Sequence, residues 1–266
     1  MRQLALSTHP GPAVAVTLVT VVLAIGVGLE PWRIALLGLA MLLGQASVGL
    51  SNDWIDADRD RAVGRSDKPV ALGLVSASAA RNAAFVTAGA AILLTIPLGL
   101  AVIPHLIFIV SAWGYNLGLK KTVLSALPYI VSFGLLPLVV TAVIPAWAAW
   151  WALGAGALLG VAAHFANVLP DLRDDASTGV RGLPHRLGVR ASGIVIGAAL
   201  AGASILLART PLLWVGCSVA LLLAVVIVVL VFTRPPTRAL FRLIIAAALV
   251  DVAMLAVSGA ALVAGR

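Results

Sequence analysis

The sequence predicts an all-α integral membrane protein with nine transmembrane helices in a single bundle, and three observations lead there. The 266 residues are 62% hydrophobic and only 11% charged, with a mean hydropathy of +1.11, more apolar than a soluble domain of this length. Charge-free stretches recur at roughly the 20 residues needed to cross the hydrocarbon of a bilayer. The acidic residues are gathered in two short loops, after the second and sixth stretches.

In chain order the spans are expected at about 12–29, 33–52, 80–101, 104–119, 124–143, 147–168, 189–208, 212–232 and 239–263. The first follows a segment with neither a strongly basic stretch nor a clear small-residue cleavage site, which predicts a retained helix. The second runs into the first acidic loop. The third and fourth are divided only around Ile103, and the connection to the fifth is short. The sixth leads into the second acidic loop, and the last three complete the bundle. No linker, low-complexity tail or soluble insertion interrupts the pattern, so residues 1–266 read as one domain.

The net charge of +8 follows the positive-inside rule rather than pointing to nucleic acid. Nine spans place Arg2, Arg59, Arg61, Arg65, Lys68, Arg81, Lys120, Lys121, Arg173, Arg181, Arg186, Arg190, Arg234, Arg238 and Arg242 on one side. Only Arg33, Arg209 and Arg266 fall on the other. The N-terminus and both acidic loops are then cytoplasmic and the C-terminus outside. Trp32, Trp147, Trp150, Trp151 and Trp214 fall near the outer ends of spans, as interfacial anchors do. The single cysteine, Cys217, sits in an apolar run and reads as a packing residue.

Eight of the ten acidic residues lie in the two loops: Asp53, Asp56, Asp58, Asp60 and Asp67, then Asp171, Asp174 and Asp175. If the second span continues as a helix, Asp53, Asp56 and Asp60 share one face while Asp58 points away, with Asn52 at the edge. Like charges on one helix face repel unless a cation neutralises them. Oxygen ligands without His or Cys suit Mg²⁺, shared between carboxylates and phosphate oxygens. In the second loop Pro170 opens a new turn that would bring Asp171 and Asp175 together. Two facing clusters can hold Mg²⁺ across one diphosphate. Arg65, Lys68, Lys120, Arg181 and Arg186 supply the cations a polyphosphate needs, and Asn167 is placed to meet diphosphate or metal-bound water. His164 could line the same pocket, and Asp251, well inside the last span, must face the bundle or be protonated.

These residues resemble the UbiA superfamily of intramembrane prenyltransferases. Its first motif, Asn-Asp-x-x-Asp-x-x-x-Asp, is matched by Asn52, Asp53, Asp56 and Asp60. Its second, Asp-x-x-x-Asp, is matched by Asp171 and Asp175. The run Thr178-Gly179-Val180-Arg181-Gly182-Leu183-Pro184-His185-Arg186-Leu187-Gly188 is similar to the family's connection to its seventh helix, and the likeness extends over all nine spans. The family's Tyr-x-x-x-Lys becomes Tyr115 and Lys120 with four residues between. An arginine often found near the first helix is replaced by His9-Pro10-Gly11-Pro12.

The resemblance implies Mg²⁺-dependent transfer of an isoprenyl group from a prenyl diphosphate to a membrane-associated acceptor, an aromatic or quinone precursor or a lipid alcohol. Asp53, Asp56, Asp60, Asp171 and Asp175 would hold metal. Asn52, Arg65, Lys68, Tyr115, Lys120, Asn167, Arg181 and Arg186 would hold the donor, and Asp56 or Asp175 would remove the proton. The usage suggests a bacterial inner membrane. Two alternatives stand beside it: phosphoribosyl transfer to a polyprenyl phosphate on the same fold, and a non-catalytic transporter or lipid-binding protein using the carboxylates for cations. The Asp-Gly-x-x-Ala-Arg opening of CDP-alcohol phosphotransferases is absent.

Overall fold

A computed structural model describes residues 2–172, 179–209, 211–233 and 238–265. The fold is all-helical. A short α1 (Arg2–Leu6) precedes α2 (Pro10–Val27) and α3 (Pro31–Ile55), and α4 (Ala57–Ala62) follows almost in line. Then come α5 (Ala77–Thr95), α6 (Val102–Leu117), α7 (Leu127–Thr141), α8 (Trp150–Val168), α9 (Leu183–Leu207), α10 (Pro211–Thr233) and α11 (Arg238–Val257).

Six helical stretches among the described residues are long and apolar enough to cross a membrane: Pro10–Val27, Pro31–Ile55, Ala77–Leu117, Trp150–Val168, Leu183–Leu207 and Leu213–Thr233. Within Ala77–Leu117 the two predicted spans are α5 and α6: the chain turns back at Ile96–Ala101, where Gly99 has φ 70°, so that the ring of Phe85 near the start of α5 stands 5.0 Å from that of Trp113 near the end of α6. Positive φ at the turn suits glycine. Helix α7 is apolar but has only 15 residues, shorter than the predicted 124–143. Helix α9 starts six residues before the predicted span, and Gly188 at φ 76° marks its kink.

The helices close into a ring. Helix α3 packs on α2, α5 and α6; α6 on α7; α7 on α8; α8 on α9; α9 on α10; α10 on α11; and α11 returns to α2. Leu23, Leu37, Met41, Phe165, Ile196 and Leu200 lie fully buried between them, while Leu18, Val86, Val110 and Leu222 are exposed on the outside, as expected for surfaces facing acyl chains. Of the expected interfacial anchors, Trp32, Trp147, Trp150 and Trp214 are exposed, but Trp151 is buried, with the Arg209 guanidinium 5.8 Å from its ring centre.

Small residues set how closely helices approach. A Cβ at Gly49 would overlap the backbone of Thr8, and one at Gly160 would overlap the carbonyl of Tyr129. These two glycines bring His9 onto the end of α3 and Tyr129 against α8. Opposite the acidic loops, the chain that enters α8 pairs with the C-terminal segment. Ala148 bridges Val263, Ala149 N–H donates to the Leu262 carbonyl at 2.7 Å, and Ala264 N–H donates to Trp147 at 2.8 Å.

Candidate active site

Helix α3 ends within the first acidic motif. Asp56 departs from helical backbone (φ −90°, ψ 0°), yet its N–H still bonds to the Asn52 carbonyl at 2.9 Å and its carbonyl receives Asp60 N–H at 2.8 Å. The register carries through the break. Asp53, Asp56 and Asp60 are accordingly all buried, while the Asp58 side chain is 99% exposed and pairs with Arg61 at 2.8 Å.

Each buried carboxylate meets a cation. The Lys68 ammonium donates to Asp53 Oδ1 at 2.7 Å and to Asn52 Oδ1 at 2.9 Å. His9 Nε2 lies 2.7 Å from the same Asp53 oxygen and 2.9 Å from Lys68 Nζ. Lys120 Nζ reaches both oxygens of Asp56, at 2.6 and 2.5 Å. Arg59 bridges Asp56 and Asp60 at 3.1 Å each. Asn52 donates to Asp56 at 3.1 Å and to Asn116 at 3.3 Å, and Asn116 is anchored on Val48 and Ser51 of α3. Two carboxylate oxygens, Asp53 Oδ2 and Asp60 Oδ2, are buried with no hydrogen-bond partner. An unpaired anionic oxygen away from water is costly, so both remain open to a further cation.

Burial pushes the Lys120 ammonium below its ordinary pKa, against the Asp56 carboxylate, which raises it. Arg65 and Asp67 form two parallel hydrogen bonds of 2.9 Å at the mouth, and these hold the Asp67 carboxyl down at about 2. Among the described residues, no three His, Cys, Asp or Glu side chains are gathered tightly enough to form a metal site; lysine and arginine groups stand between the carboxylates.

These groups sit at the mouth of a cavity of about 370 Å³. Asn52, Asp56, Arg59, Asp60, Arg65, Lys68, Lys120 and Asn167 line its polar end, and Val16, Phe108, Ala112, Pro128 and Phe133 its apolar depth. Tyr115 and Tyr129 stand between, ring centres 5.3 Å apart, and His164 backs both at 5.7 and 5.0 Å. His164 is not on the cavity surface; its Nε2 shares a 3.0 Å hydrogen bond with Ser125, whose oxygen also accepts Leu183 N–H at 2.8 Å. Asn167, expected to face the diphosphate, is exposed, with its amide 3.5 Å from the Tyr129 hydroxyl.

Of the other expected site residues, Asp171 closes a tight turn at Leu169–Asp171, with its side chain outside the described residues. Arg173, Asp174 and Asp175 also lie outside them. Arg181 and Arg186 are exposed and do not line the cavity; Arg186 donates to the Arg181 carbonyl at 3.2 Å. Asp251 is fully buried among α9 to α11, accepting from Ser204 at 2.7 Å and remote from the cavity lining.

Sequence reasoning gave no site role to Asn116, Tyr129 or His9. A polar residue in an apolar span was the available signal for Asn116. His9 announced itself only as a departure from an arginine, and it is the one non-glycine residue with positive φ among those described (54°).

The model of the UbiA prenyltransferase family matches residues 13–248. A comparison with curated proteins gave no match. Among solved structures, a UbiA homolog from Archaeoglobus fulgidus bound to GPP and Mg²⁺ is 14% identical, with TM-score 0.74, covering 96% of this chain and 99% of that one. A digeranylgeranylglyceryl phosphate synthase is 15% identical, with TM-score 0.70 and coverage of 98% and 99%. An apo UbiA homolog from Aeropyrum pernix K1 is 18% identical, with TM-score 0.69 and coverage of 92% and 97%.

Proposed function

The chain belongs to the UbiA prenyltransferase family, and from that premise we propose that it transfers an isoprenyl group from a prenyl diphosphate to a membrane-associated acceptor, using Mg²⁺ and releasing diphosphate. One observation carries the reading: buried carboxylates and cations line one end of a cavity whose other end is apolar. That is the polarity of a prenyl diphosphate, with an anionic head and a hydrocarbon tail. The neighbour from Archaeoglobus fulgidus was solved with GPP and Mg²⁺.

The chemistry of the donor atoms fits the metal, with lysine and arginine groups standing between the described carboxylates in its place. Asp53 Oδ2 and Asp60 Oδ2 are buried without a partner, and an all-oxygen donor set suits Mg²⁺. Asp53, Asp56 and Asp60 would hold it together with Asp171 and Asp175. When bound, Mg²⁺ neutralises charge on the diphosphate and makes it a better leaving group. Lys68, Lys120 and Arg65 with Asn52, Tyr115 and Asn167 line the cavity and would bind and orient the donor, whereas Arg181 and Arg186 stand outside that lining. The apolar depth takes the tail and keeps water from the carbon that loses diphosphate. Asp56 or Asp175 accepts the acceptor's proton.

In this reading the integral membrane bundle crosses nine times in a bacterial inner membrane, with the acidic end cytoplasmic and the C-terminus outside. Cysteine labelling of the loops from either side tests that orientation. A phosphoribosyl donor would call for more hydrogen-bonding groups around the acid motifs and make less use of the apolar depth, and a cation transporter would release no diphosphate.

Diphosphate release by purified protein in lipid, with Mg²⁺ or EDTA, tests all three. The donors are geranyl to long-chain polyprenyl diphosphates and phosphoribosyl diphosphate. Mg²⁺-dependent release from a prenyl donor, lost in Asp56→Ala and Asp175→Ala, is expected. Release only from the phosphoribosyl donor, or none with aromatic and lipid acceptors present, overturns the reading.

A further inference from the structure

We infer that Ser125 is a positioning residue for the site: it fixes the turn that carries Lys120, and so decides where the Lys120 ammonium stands. The inference rests on the prenyl-transfer reading above and adds to it a residue outside the cavity lining.

Lys120 follows Tyr115 with four residues between, and in the fold that spacing detaches the lysine from α6. Helix α6 ends at Leu117, and Lys120 is the middle residue of a separate turn, Leu119–Lys121, behind Gly118. A side chain on a helix is aimed by the helix, whereas one on a short turn is aimed by what the turn rests on. Aim matters at this position, because the ammonium meets both oxygens of Asp56, at 2.6 and 2.5 Å, and such bonds weaken steeply as their geometry is lost.

The turn's own hydrogen bonds are local. Lys121 N–H donates to the Gly118 carbonyl at 3.0 Å, Thr122 N–H to Leu119 at 3.0 Å and Ser125 N–H to Thr122 at 3.2 Å. They shape the stretch without attaching it to the rest of the bundle. Apart from the Lys120 ammonium, its hydrogen bonds to helices beyond α6 and α7 all come, among the described residues, from Ser125. The Ser125 oxygen accepts Leu183 N–H at the start of α9 at 2.8 Å and shares a 3.0 Å hydrogen bond with His164 Nε2 of α8. Ser125 and His164 are both buried, so removing the hydroxyl leaves Leu183 N–H and the imidazole without a substitute partner.

A second contact marks the same junction. A Cβ at Gly182 would stand 2.6 Å from the Lys120 carbonyl and 2.8 Å from Ser125 Oγ. Gly182 has φ −68°, which any residue adopts, so glycine is required there for room and not for conformation. The backbone of Lys120 is pressed against Gly182, and the Ser125 hydroxyl fastens that contact through the next residue.

Two measurements on the protein in lipid nanodiscs test the assignment. The first is equilibrium binding of geranyl S-thiolodiphosphate, an unreactive donor analogue, in MgCl₂. Ser125→Ala should bind it about tenfold more weakly, the worth of a hydrogen bond to a charged group. Gly182→Ala keeps every hydrogen-bonding group but drives the turn away, and it should weaken binding in the same direction. On a Lys120→Met background neither change should weaken binding further, because a residue that acts through Lys120 has nothing left to act on. The second is thermal unfolding of Ser125→Ala, Lys120→Met and the double variant in EDTA, where the double loss should fall short of the sum of the single ones. Binding by Ser125→Ala within about twofold of wild type, or additive losses in either measurement, overturns the assignment. Should Ser125→Ala not fold, Gly182→Ala takes its place in both cycles. Coupling in EDTA with no binding of the analogue by wild type overturns the prenyl-transfer reading alone.

Discussion

Replacing Lys120 with Met should destabilise the protein strongly without metal and much less with it. The Lys120 and Asp56 side chains are each only 5% exposed, and Lys120 contacts both carboxylate oxygens. A buried pair contributes little net stability, because desolvation offsets the attraction, but removing one partner strands the other charge at roughly 3–5 kcal/mol. Asp56 would keep Arg59 and Asn52, each at 3.1 Å, which places the loss near the lower end, about 3 kcal/mol. For a chain of this size that is a fall in unfolding midpoint of roughly 6–12 °C. If Asp56 is a metal ligand, Mg²⁺ takes the place Lys120 left. Binding at about 100 times Kd returns up to roughly 2.7 kcal/mol, and more of it to the variant, where no lysine competes. Thermal unfolding in lipid nanodiscs, in EDTA and in MgCl₂, reads this directly. A loss of the same size in both conditions refutes the exchange of lysine for metal at Asp56. A loss below about 1 kcal/mol refutes the buried pair itself.

Three further outcomes are expected. Gly160→Val should cost about 1–3 kcal/mol by driving a side chain into the Tyr129 carbonyl, visible as a lower unfolding midpoint. Asp251→Asn should leave diphosphate release within about threefold, since Asp251 bonds Ser204 away from the cavity; a tenfold loss (~1.4 kcal/mol) would place it in the reaction. Asp67→Asn should lower stability at neutral pH by under ~1 kcal/mol, as the pair with Arg65 is half in solvent. The Asp67 carboxyl is held below its ordinary 3.8, at about 2. The pair's contribution is therefore complete above about 4 and is lost as pH falls towards 2, where unfolding curves of variant and wild type should coincide.

The helices fall on the apolar stretches because hydrocarbon demands that backbone groups be paired within each segment. Their ends were less legible. That the chain turns back at Gly99 is decided by backbone and packing beyond the apolar pattern, and α9 begins ahead of its apolar stretch, with Arg186 and Arg190 on either side of the Gly188 kink. The convergence of Asp53, Asp56 and Asp60 was readable from helical periodicity, even across the break at Asp56. Which cation answers which carboxylate was not. Lys120 is 64 residues from Asp56, and His9 is 44 from Asp53; those partners are set by helix packing, including the Gly49 contact, that one sequence does not display. Trp151 misled for the same reason: a position next to exposed Trp150 reads as interfacial until the opposite helix face is known to be covered.

Among the described residues the two ends of the bundle are tied by different means. Far from the carboxylates, Ala148 is bridged to Val263, the Gly26 carbonyl lies close against Gly259, and Arg33 reaches the Val143 carbonyl at 3.5 Å. At the carboxylate end the ties run through side chains: Lys120 to Asp56, Lys68 and His9 to Asp53, and Asn116 to Val48 and Ser51. A competing cation or a change of protonation therefore acts on the knots at one end of the bundle and leaves the backbone knots at the other as they are.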